Sequence, residues 1–472
     1  MLFPTGPGYY SLMDQLHGRY VEKAPPLPYG LFAMVPPSFF DLDFRYLEDP
    51  KYTDFGLFDP LKRIHCCDDW MLSVFSQTWS RTMIERNVDF TRLDNDHNLF
   101  RTRLAGDLWY RDQFRFFAEY IYAERSGFGN DDFGARAIDI NRSDLQNLFV
   151  DVKLGEWCEG PVYVRVGRQE LLLGSQRLIS TLDWANVRRK FDGVRGFWIG
   201  KEWTVDAFWV QPVLVNRNDW DNVDNNRHFF GIWASRKPGE RPGLDLYWLY
   251  LDDTNPIHTG RDGVRGGWYV HTLGGRVFGN WNNWVYEIEP MFQVGTYSNQ
   301  DLLAASVPFG GGYQWKQHAW LPQIMLYYEW ATGDRNPGQG DLNTSFNQLY
   351  PFGHYYFGFL DLVSRRNIHD VVLQFTCWPE NWLTCLVQVH NFWLYSSDDA
   401  LYNAAGAPIR RDPTGQAGNY VGTELDLFFV AQVSRYANVS VGYSRMFNGE
   451  FIRQTGPDVT PSLLYFIFSY RW

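Results

Sequence analysis

Charged residues recur at every second position in several short, otherwise apolar segments of this sequence. The segment NLFRTRLAGDLWY places Arg101, Arg103 and Asp107 on one parity, and it places Phe100 and Leu104 on the other. A β-strand turns successive side chains to opposite faces, so such a segment has a charged face and an apolar face. Fixed charges on a shared face attract or exclude ions through their electrostatic field. The chemistry that these residues could do is selection among charged solutes.

The same alternation assigns further residues to the charged face. Valines at every second position of VYVRVGRQE fix Arg165 there, and NLFVDVKL places Asp151 and Lys153 there in the same way. The candidate residues of the charged face are Arg101, Arg103, Asp107, Arg115, Glu119, Lys153, Arg165, Arg168, Glu287, Glu289, Glu424 and Asp426. Arg168 has the wrong parity in a regular strand, so we expect a β-bulge at Gly167 that resets the phase. The alternative places Arg168 beyond the apolar band.

The two signs of charge are unevenly distributed along the chain. Positive side chains cluster on the early strands, and the acids, including Asp370, cluster on the later ones. The arginines either form a salt-bridge ladder that stiffens a wall or contact a cargo. A transverse field across a pore of mixed charge is as consistent with this distribution as a conduit for anions.

Catalytic and metal-binding motifs do not account for the sequence. The ten histidines are scattered, with no HExxH or GxSxG motif. Alternation puts His390 and Asn391 on opposite faces of a strand, whereas a hydrolase needs a nucleophile and a base within hydrogen-bonding reach. We therefore predict no enzymatic activity, no cofactor and no metal site.

The cysteines offer one candidate disulfide. Five cysteines occur, with no CxxCH or paired CxxC motif. Cys377 and Cys385 flank WPEN, so we expect them to face one another across a tight hairpin. They either form a cross-strand disulfide in an oxidising compartment or are two unrelated apolar thiols. The sequence gives no pairing for Cys66, Cys67 and Cys158.

Composition favours a membrane protein built from strands. Aromatic residues make up 18% of the 472 residues, 21% are charged, and the mean hydropathy is -0.36. The longest obvious apolar run, Leu463 to Phe468, is far shorter than the roughly 18 to 20 apolar residues of a spanning helix. Because backbone polar groups in hydrocarbon must pair internally, a closed barrel is the other way to span a membrane. The segment from Pro461 to Trp472 alternates as the closing strand of an outer-membrane barrel does.

The pattern predicts an all-β fold, a transmembrane antiparallel β-barrel of about 18 strands over residues 70–472. Two of these strands are predicted at 162–174 and 186–200. The short turns RDQ, WPEN and SRYAN should be periplasmic, and the long polar loops should be extracellular. Nine of the 24 prolines lie in the first 60 residues, so residues 1–69 are expected to be an irregular periplasmic arm or a plug. No signal peptide is visible, so we take the chain to be processed or misstarted.

The longest predicted loop, residues 332–367, is a candidate gate. A long loop can fold into a large barrel and restrict its aqueous channel. The candidate gating residues are Asp334, Asp341, Tyr350, His354, Tyr355 and Tyr356. The aromatic residues among them either stack on sugar rings or pack as a lid.

Several segments resemble the alginate export family of outer-membrane proteins. They are DPLKRI at 59–64, VGRQELLLGSQRLI with LDWANVRRKFDGVR within 166–195, ATGDRNPGQG with SFNQLYPFGHYYFGFLDL within 331–362, and the later GTELDLFF and VGYSRMFNGEFI. The resemblance implies an 18-stranded monomeric barrel with an arginine-lined lumen. In the best-known member such a lumen passes an anionic uronate polymer.

These patterns together predict an outer-membrane channel for passive passage or export of hydrophilic solutes, with an anionic polysaccharide such as alginate as a candidate cargo. The alternatives are a general mixed-charge diffusion porin and a sealed surface or structural barrel. The expected partners are the lipid bilayer, lipopolysaccharide, the solute and a periplasmic export apparatus, and we expect a monomer. The formal net charge of -11 argues against a nucleic acid, which requires clustered Lys and Arg.

Overall fold

A closed antiparallel barrel dominates the computed structural model, which describes residues 11–18, 37–67 and 69–472. Eighteen wall strands run through these described residues. They are β1 Trp70–Arg86, β2 Asn95–Tyr110, β3 Phe114–Gly127, β4 Asn141–Trp157, β5 Gly160–Gln169, β6 Phe191–Ile199, β7 Trp203–Leu214, β8 Arg227–Arg236, β9 Gly243–Thr259, β10 Arg265–Trp281, β11 Trp284–Ile288 continued by Met291–Tyr297, β12 Gln300–Ser306 continued by Phe309–Gln314, β13 Gln323–Ala331, β14 Ile368–Glu380, β15 Leu383–Leu394, β16 Tyr420–Gln432, β17 Ala437–Asn448 and β18 Ser462–Arg471. The predicted all-β barrel is confirmed.

The first and last strands close the barrel. β1 pairs with β18 in an unbroken antiparallel register from Gln77 opposite Arg471 to Arg86 opposite Ser462. Each other wall strand pairs with its neighbours in the chain, so the sheet has no open edge along this seam. β11 and β12 are each interrupted at a proline, Pro290 and Pro308, because proline has no N–H to donate to the ladder.

Alternating side chains explain why these segments form wall strands. In β18, Phe466 and Phe468 are 46% and 48% exposed, whereas Tyr465 and Ile467, which alternate with them, are buried. The exposed residues face outward, where an apolar band meets lipid. The buried residues face the interior.

The connections differ in length at the two ends of the barrel. Short turns at one end include 111–113, 158–159, 282–283 and 381–382. Long loops at the other end include 170–190, 215–226, 332–367, 395–419 and 449–461. This is the predicted arrangement of short periplasmic turns and long extracellular loops.

Minor elements decorate the loops and the N-terminal segment. The short strands are Ile64–Cys67, which pairs with β1, Asn222–Val223, Leu342–Asn343, which pairs with β12, and Leu401–Tyr402 with Pro408–Arg410. The α-helices are Leu12–Leu16, Gly353–Tyr356 and Glu450–Thr455, and the 3-10 turns are Phe39–Asp41, Arg45–Glu48, Asp59–Leu61, Val88–Phe90 and Arg261–Gly263. None of the helices found in the described ranges is long and apolar enough to cross a membrane.

Two of the long loops fold into the barrel interior and bind one another there. The Tyr350 N–H donates to the Leu178 carbonyl, and the Ser180 N–H donates to the Tyr350 carbonyl, each at 2.9 Å. The Phe352 N–H donates to the Gln176 carbonyl, also at 2.9 Å. Residues 170–190 and 344–366 thereby form one packed unit inside the wall.

The structure corrects the predicted strands at 162–174 and 186–200. β5 ends at Gln169 and β6 begins at Phe191. The apolar run at 171–173 resembles a strand in sequence, but Leu171 and Leu173 are buried by the interior packing of the inserted loop. A large barrel with a filled interior can bury apolar residues that are not part of its wall.

The N-terminal segment also enters the barrel, at the end with the short turns. Phe39 lies 5.5 Å from Phe75, measured between ring centroids, and Phe40 lies 5.3 Å from Phe149. Phe75 and Phe149 belong to the inner faces of β1 and β4. Residues 1–10 and 19–36 of the expected arm lie outside the described residues. Regular pairing begins slightly before residue 70, because Ile64–Cys67 already pairs with β1.

Inward-facing glycines accommodate aromatic rings from neighbouring strands. A Cβ added at Gly442 on β17 would lie 2.0 Å from Cζ of Tyr465 on β18. Gly310 lies under Tyr327 in the same way, because a Cβ added at Gly310 would lie 2.1 Å from Cδ1 of the Tyr327 ring. The ring over each glycine replaces the side-chain packing that glycine lacks.

We predict that Gly442→Val destabilises the barrel by about 1 to 3 kcal/mol, because the added side chain overlaps the Tyr465 ring. The temperature at which the folded barrel loses its electrophoretic mobility in detergent measures this effect. Gly106→Ala is the control, since a Cβ at Gly106 meets no atom within 4 Å. An unchanged transition temperature for Gly442→Val would contradict the packing seen at this seam.

Candidate functional site

The charged residues of β2 and β3 point into the barrel, where they pair across the strands. Arg103 Nε lies 2.5 Å from Glu119 Oε1, and both side chains are at most 1% exposed. Arg115 Nε lies 2.7 Å from Asp107 Oδ1. The four residues lie on the inner face that alternation assigned to them.

Asp151 on β4 links Arg115 to a further arginine of the inner wall, Arg165. Its carboxylate lies 2.7 Å from Arg165 Nε and 3.7 Å from Arg115 Nη1. The series continues on β6 and β7, where Arg195 pairs with Asp206 at 2.5 Å. These contacts form a salt-bridge ladder, so acids of the protein compensate these arginines.

The loop at 170–190 extends this network from the wall toward the centre. Arg101 Nη2 on β2 donates to Asp183 Oδ1 of the loop at 2.9 Å, and Arg188 also pairs with Asp183. Arg188 Nε lies 2.5 Å from Glu170 Oε1. Burial by itself raises the pKa of Asp183, but Arg188 and Arg101 outweigh burial and hold that pKa well below its usual value. The loop is therefore held by buried ion pairs.

Arg177 of the same loop reaches the acids of the opposite wall. Its guanidinium lies 2.9 Å from both Glu287 and Glu289 on and beside β11, and 3.1 Å from Glu329 on β13. Burial lowers the pKa of Arg177, but the surrounding carboxylates raise it above the ordinary value, so the charge is retained. Alternation could not assign Arg177, because it lies in a loop and has no strand parity.

Two more arginines complete this acidic cluster. Arg276 Nη2 on β10 lies 2.6 Å from Glu287, and Arg365 Nη1 of the long loop lies 2.6 Å from Glu329. Positive charge on the early strands and negative charge on the later ones are thus joined through inserted loops. The transverse separation of charge expected from the sequence is largely neutralised.

Glu424 and Asp426 on β16 hold the backbone of the long loop. The Leu360 N–H donates to Glu424 Oε1 at 2.8 Å, and the Phe359 N–H lies 3.4 Å from Asp426 Oδ1. Both acids are buried on the inner face, as predicted. Their carboxylates bind the loop that narrows the interior.

A buried histidine adjoins this pair of acids. His390 Nδ1 on β15 lies 2.8 Å from Asp370 Oδ2 on β14, and His390 Nε2 lies 3.8 Å from Asp426. Phe392 lies on the same face of β15, 5.4 Å from His390 between ring centroids.

Lys153 does not lie in the narrow part of the interior. It sits near the end of β4 at the short turns, where its ammonium lies 2.6 Å from Asp112 and 3.1 Å from Glu156. Both acids are more than half exposed. Its role in selectivity stays a prediction, and its position near the barrel end could not be read from the sequence, because parity gives the face of a residue and not its depth.

Arg168 lies on the outer face, and the predicted bulge is absent. Pairing of β4 with β5 runs without a shift from Asp151 opposite Arg165 to Leu148 opposite Arg168. Gly167 has a φ of 130°, but it keeps the regular register. Arg168 Nε instead lies 2.8 Å from Asp192 on the outer face, so a local acid compensates its charge.

The aromatic residues of the long loop pack inside the barrel. Tyr355, Tyr356 and His354 are at most 3% exposed. His354 stacks on Trp184 of the other inserted loop at 3.7 Å between ring centroids. Tyr350 packs edge-on against Phe191 at 5.0 Å. These residues stabilise the inserted loops at a greater depth than a lid at the mouth.

The two acids of the long loop, Asp334 and Asp341, lie in different environments. Asp334 is buried and accepts a hydrogen bond from Asn343 Nδ2 at 3.2 Å. Asp341 is 85% exposed and pairs with Arg261. Burial raises the pKa of Asp334, and the Asn336 N–H lowers it in part.

Cys377 and Cys385 are directly opposite one another in the β14–β15 hairpin, in the predicted register. Both are free thiols, so the structure contains no bridge between them. Cys66, Cys67 and Cys158 are exposed free thiols.

Arg81 on β1 differs from the paired arginines. Its guanidinium lies between two indole rings, 4.8 Å from the Trp79 centroid and 4.1 Å from that of Trp184. The residue is 2% exposed, and its Nε and Nη1 have no hydrogen-bond partner in the described ranges. A buried cation without such partners is costly, although Asp139, Glu85 and Asp361 lie within electrostatic range of this guanidinium.

The family of the chain follows from its sequence profile. The profile of the family described as alginate export matches residues 71–466, which span nearly the whole barrel. The chain belongs to the alginate export family. It is an outer-membrane β-barrel and a channel for solutes. No curated protein matches the chain.

Solved structures similar to this member of the alginate export family are outer-membrane proteins of Pseudomonas aeruginosa. OccK8 (OprE) has 12% identity and a TM-score of 0.58, with 85% of this chain and 98% of that chain covered. OpdK, solved with vanillate, has 11% identity and a TM-score of 0.55, with 84% and 98% covered. OccD3 (OpdP) has 11% identity and a TM-score of 0.54, with 84% and 91% covered. These similarities support the fold.

We predict that the double variant Arg101→Ala and Arg165→Ala shifts ion permeability toward cations. The substitutions remove one of the two arginines paired with Asp183 and the arginine nearest to Asp151, which leaves excess negative charge inside the lumen. Reversal potentials in planar bilayers under a KCl gradient measure the shift.

Arg111→Ala is the control for this experiment, because Arg111 pairs with Asp69 at the barrel end and is 60% exposed. An unchanged reversal potential in the double variant would remove Arg101 and Arg165 from the charge selectivity of the channel.

Proposed function

We propose that this channel passes hydrophilic solutes passively and that its own loops narrow the passage. The observation that carries the proposal is the ion-paired interior, in which Arg177 connects an inserted loop to Glu287, Glu289 and Glu329. Such a lumen offers solutes a polar environment in place of hydrocarbon. Because the arginines and the acids of this lumen pair with one another, we expect its net preference for anions or cations to be weak.

A second candidate cargo is an anionic saccharide, such as the uronate polymer suggested by the family. Arg81 favours this candidate, since its guanidinium is buried between Trp79 and Trp184 without a carboxylate bound to its Nε or Nη1 among the described residues. The indole rings suit the apolar faces of a sugar, and the guanidinium suits its carboxylate. A periplasmic export apparatus would supply a polymer of this kind.

The N-terminal arm acts in this proposal as a plug at the periplasmic end. Arg115 Nη2 of the wall donates to the Phe40 carbonyl at 2.7 Å, and the Arg165 guanidinium lies 4.3 Å from the Phe40 ring centroid. Asp41 lies within electrostatic range of Arg195, Arg165 and Arg115. The segment thus contacts wall arginines that a passing solute would meet.

The remaining parts of the proposal follow from passive transport. No covalent step is needed, so the protein would not be an enzyme, and no cofactor would take part. We propose a monomer whose outer apolar band contacts the bilayer and whose long loops contact lipopolysaccharide. The predicted bridge between Cys377 and Cys385 stays a prediction for the oxidising compartment.

We predict that the wild-type channel has a reversal potential close to zero in a KCl gradient and that oligouronates block its current. In Arg81→Ala, block by oligouronates should weaken, while block by neutral oligosaccharides of the same length should not change. The measurement is single-channel current at rising concentrations of each oligomer.

A strong anion preference in the wild type would contradict the charge-compensated lumen. Equal block of the wild type and Arg81→Ala by oligouronates would contradict the second candidate.

We predict that Phe39→Asp combined with Phe40→Asp raises single-channel conductance. Carboxylates cannot stay in the apolar cluster with Phe75 and Phe149, so the segment should leave the lumen. Phe55→Asp is the matched control in the same arm, because Phe55 is 60% exposed. Equal conductance in all three proteins would show that the segment does not obstruct the passage.

A further inference from the structure

A cavity with a mixed polar and aromatic lining lies at the end of the barrel with the long loops. Its volume is about 630 Å³, within the range of roughly 300 to 1,000 Å³ that is usual for small-molecule sites. Its walls come from the upper ends of β8 to β11 and from the loops at 332–367 and 395–419. Ile257 at its rim is 53% exposed, so the cavity reaches the outer surface.

Aromatic side chains form one wall of this cavity. Trp268 on β10 and Tyr297 on β11 lie edge to face at 4.7 Å between ring centroids, and His258 lies 5.1 Å from Trp268. Tyr402 faces them from the loop at 395–419 and carries the Arg366 guanidinium 3.9 Å from its ring centroid. Aromatic surfaces of this kind pack against the C–H faces of sugar rings.

Three donor atoms in the lining, namely Trp268 Nε1, the Tyr350 hydroxyl and Arg366 Nε, are buried and have no hydrogen-bond partner among the described residues. Trp268 is 6% exposed and Tyr350 is 9% exposed, and both line the cavity. Neither the Trp268 indole Nε1–H nor the Tyr350 hydroxyl has a hydrogen-bond partner among the residues described. Buried polar groups in native proteins almost always have a hydrogen-bond partner. Buried donors without one therefore indicate that water or a ligand rich in oxygen atoms binds here. An indole N–H can only donate, which requires an acceptor in that ligand.

The charges in the lining balance. The numbers of arginines and aspartates in the lining are equal. The arginines are Arg227, Arg366 and Arg411, and the aspartates are Asp253, Asp334 and Asp399. Arg227 Nη2 lies 2.7 Å from Asp253. Asp399 accepts from Ser345 Oγ at 2.7 Å and from the Tyr402 hydroxyl at 2.6 Å. Neither sign of charge dominates the cavity, because its arginines and aspartates are equal in number.

We infer that this cavity binds an uncharged saccharide through its hydroxyl groups and ring faces. The aromatic wall supplies apolar contact, the unpaired donors of Trp268 and Tyr350 receive sugar oxygens, and the balanced charges remove any demand for a carboxylate. Binding at this outer mouth is separate from the anion site proposed at Arg81 and does not require that solute crosses the membrane.

Isothermal titration calorimetry of the full chain in detergent micelles tests the inference with cellotetraose as the neutral probe and tetragalacturonate as the acidic one. Cellotetraose should bind, and tetragalacturonate should bind no more tightly. Trp268→Phe keeps a ring but removes the indole N–H, so it should weaken cellotetraose binding roughly fivefold, as expected for one lost hydrogen bond. Tyr350→Phe, which removes a single oxygen atom, should weaken binding to a similar extent.

Trp281→Phe is the matched control, since Trp281 is on the same strand, β10, and is 70% exposed. Electrophoretic mobility of the folded barrel verifies that each variant folds. Absence of cellotetraose binding to the wild type, or equal affinity in Trp268→Phe, Tyr350→Phe and the control, would overturn the inference. Conductance of the same preparations separates the two proposals, because a silent channel that binds cellotetraose contradicts only the proposed passage.

Discussion

The structure depends on pairing every backbone polar group of the wall within the sheet. In hydrocarbon no water can satisfy an unpaired N–H or carbonyl, so the sheet must close on itself. β1 and β18 meet this demand through the register from Gln77 opposite Arg471 to Arg86 opposite Ser462. Closure gives the wall two unlike faces, and alternation along each strand then sends apolar residues outward and charged residues inward.

The inward charges create a second demand, which the protein meets with ion pairs. Burying charge is costly unless it is paired, and removal of one partner from a buried pair typically costs about 3 to 5 kcal/mol. Arg103 with Glu119 and Arg165 with Asp151 satisfy the wall itself. Arg177 satisfies the acids of the far wall only because the loop that carries it folds inside. The inserted loops are therefore part of the electrostatic balance of the barrel as well as obstacles in its passage.

Sequence periodicity predicts the strands of the wall and the faces of their residues, but it does not predict the arrangement of the interior. Alternation gave the inner face of Arg101, Glu119 and Asp426 correctly, because lipid contact imposes a strict period of two. It could not show that Lys153 lies near the barrel end with the short turns, since parity carries no information about height along the barrel. It also gave Arg168 its outward parity, but the bulge that we expected at Gly167 is absent, and the outward position is stabilised by Asp192, a residue distant in sequence.

The positions of the loop residues also cannot be predicted from a periodic pattern. Contacts between residues 170–190 and 344–366 fix the positions of Arg177 and of the aromatic residues near Tyr355. No local sequence pattern predicts these contacts. The cavity at the long-loop end is likewise assembled from four strands and two loops. In this chain the wall follows from local sequence, whereas the site follows from long-range packing inside it.

Single-channel conductance of Arg177→Ala tests the central claim most directly. The substitution removes the cation that links the loop at 170–190 to Glu287, Glu289 and Glu329, and electrophoretic mobility verifies that the barrel is folded. The account predicts a larger and noisier conductance than that of the wild type, because the inserted loop is released. A folded Arg177→Ala barrel with the conductance and noise of the wild type would contradict it.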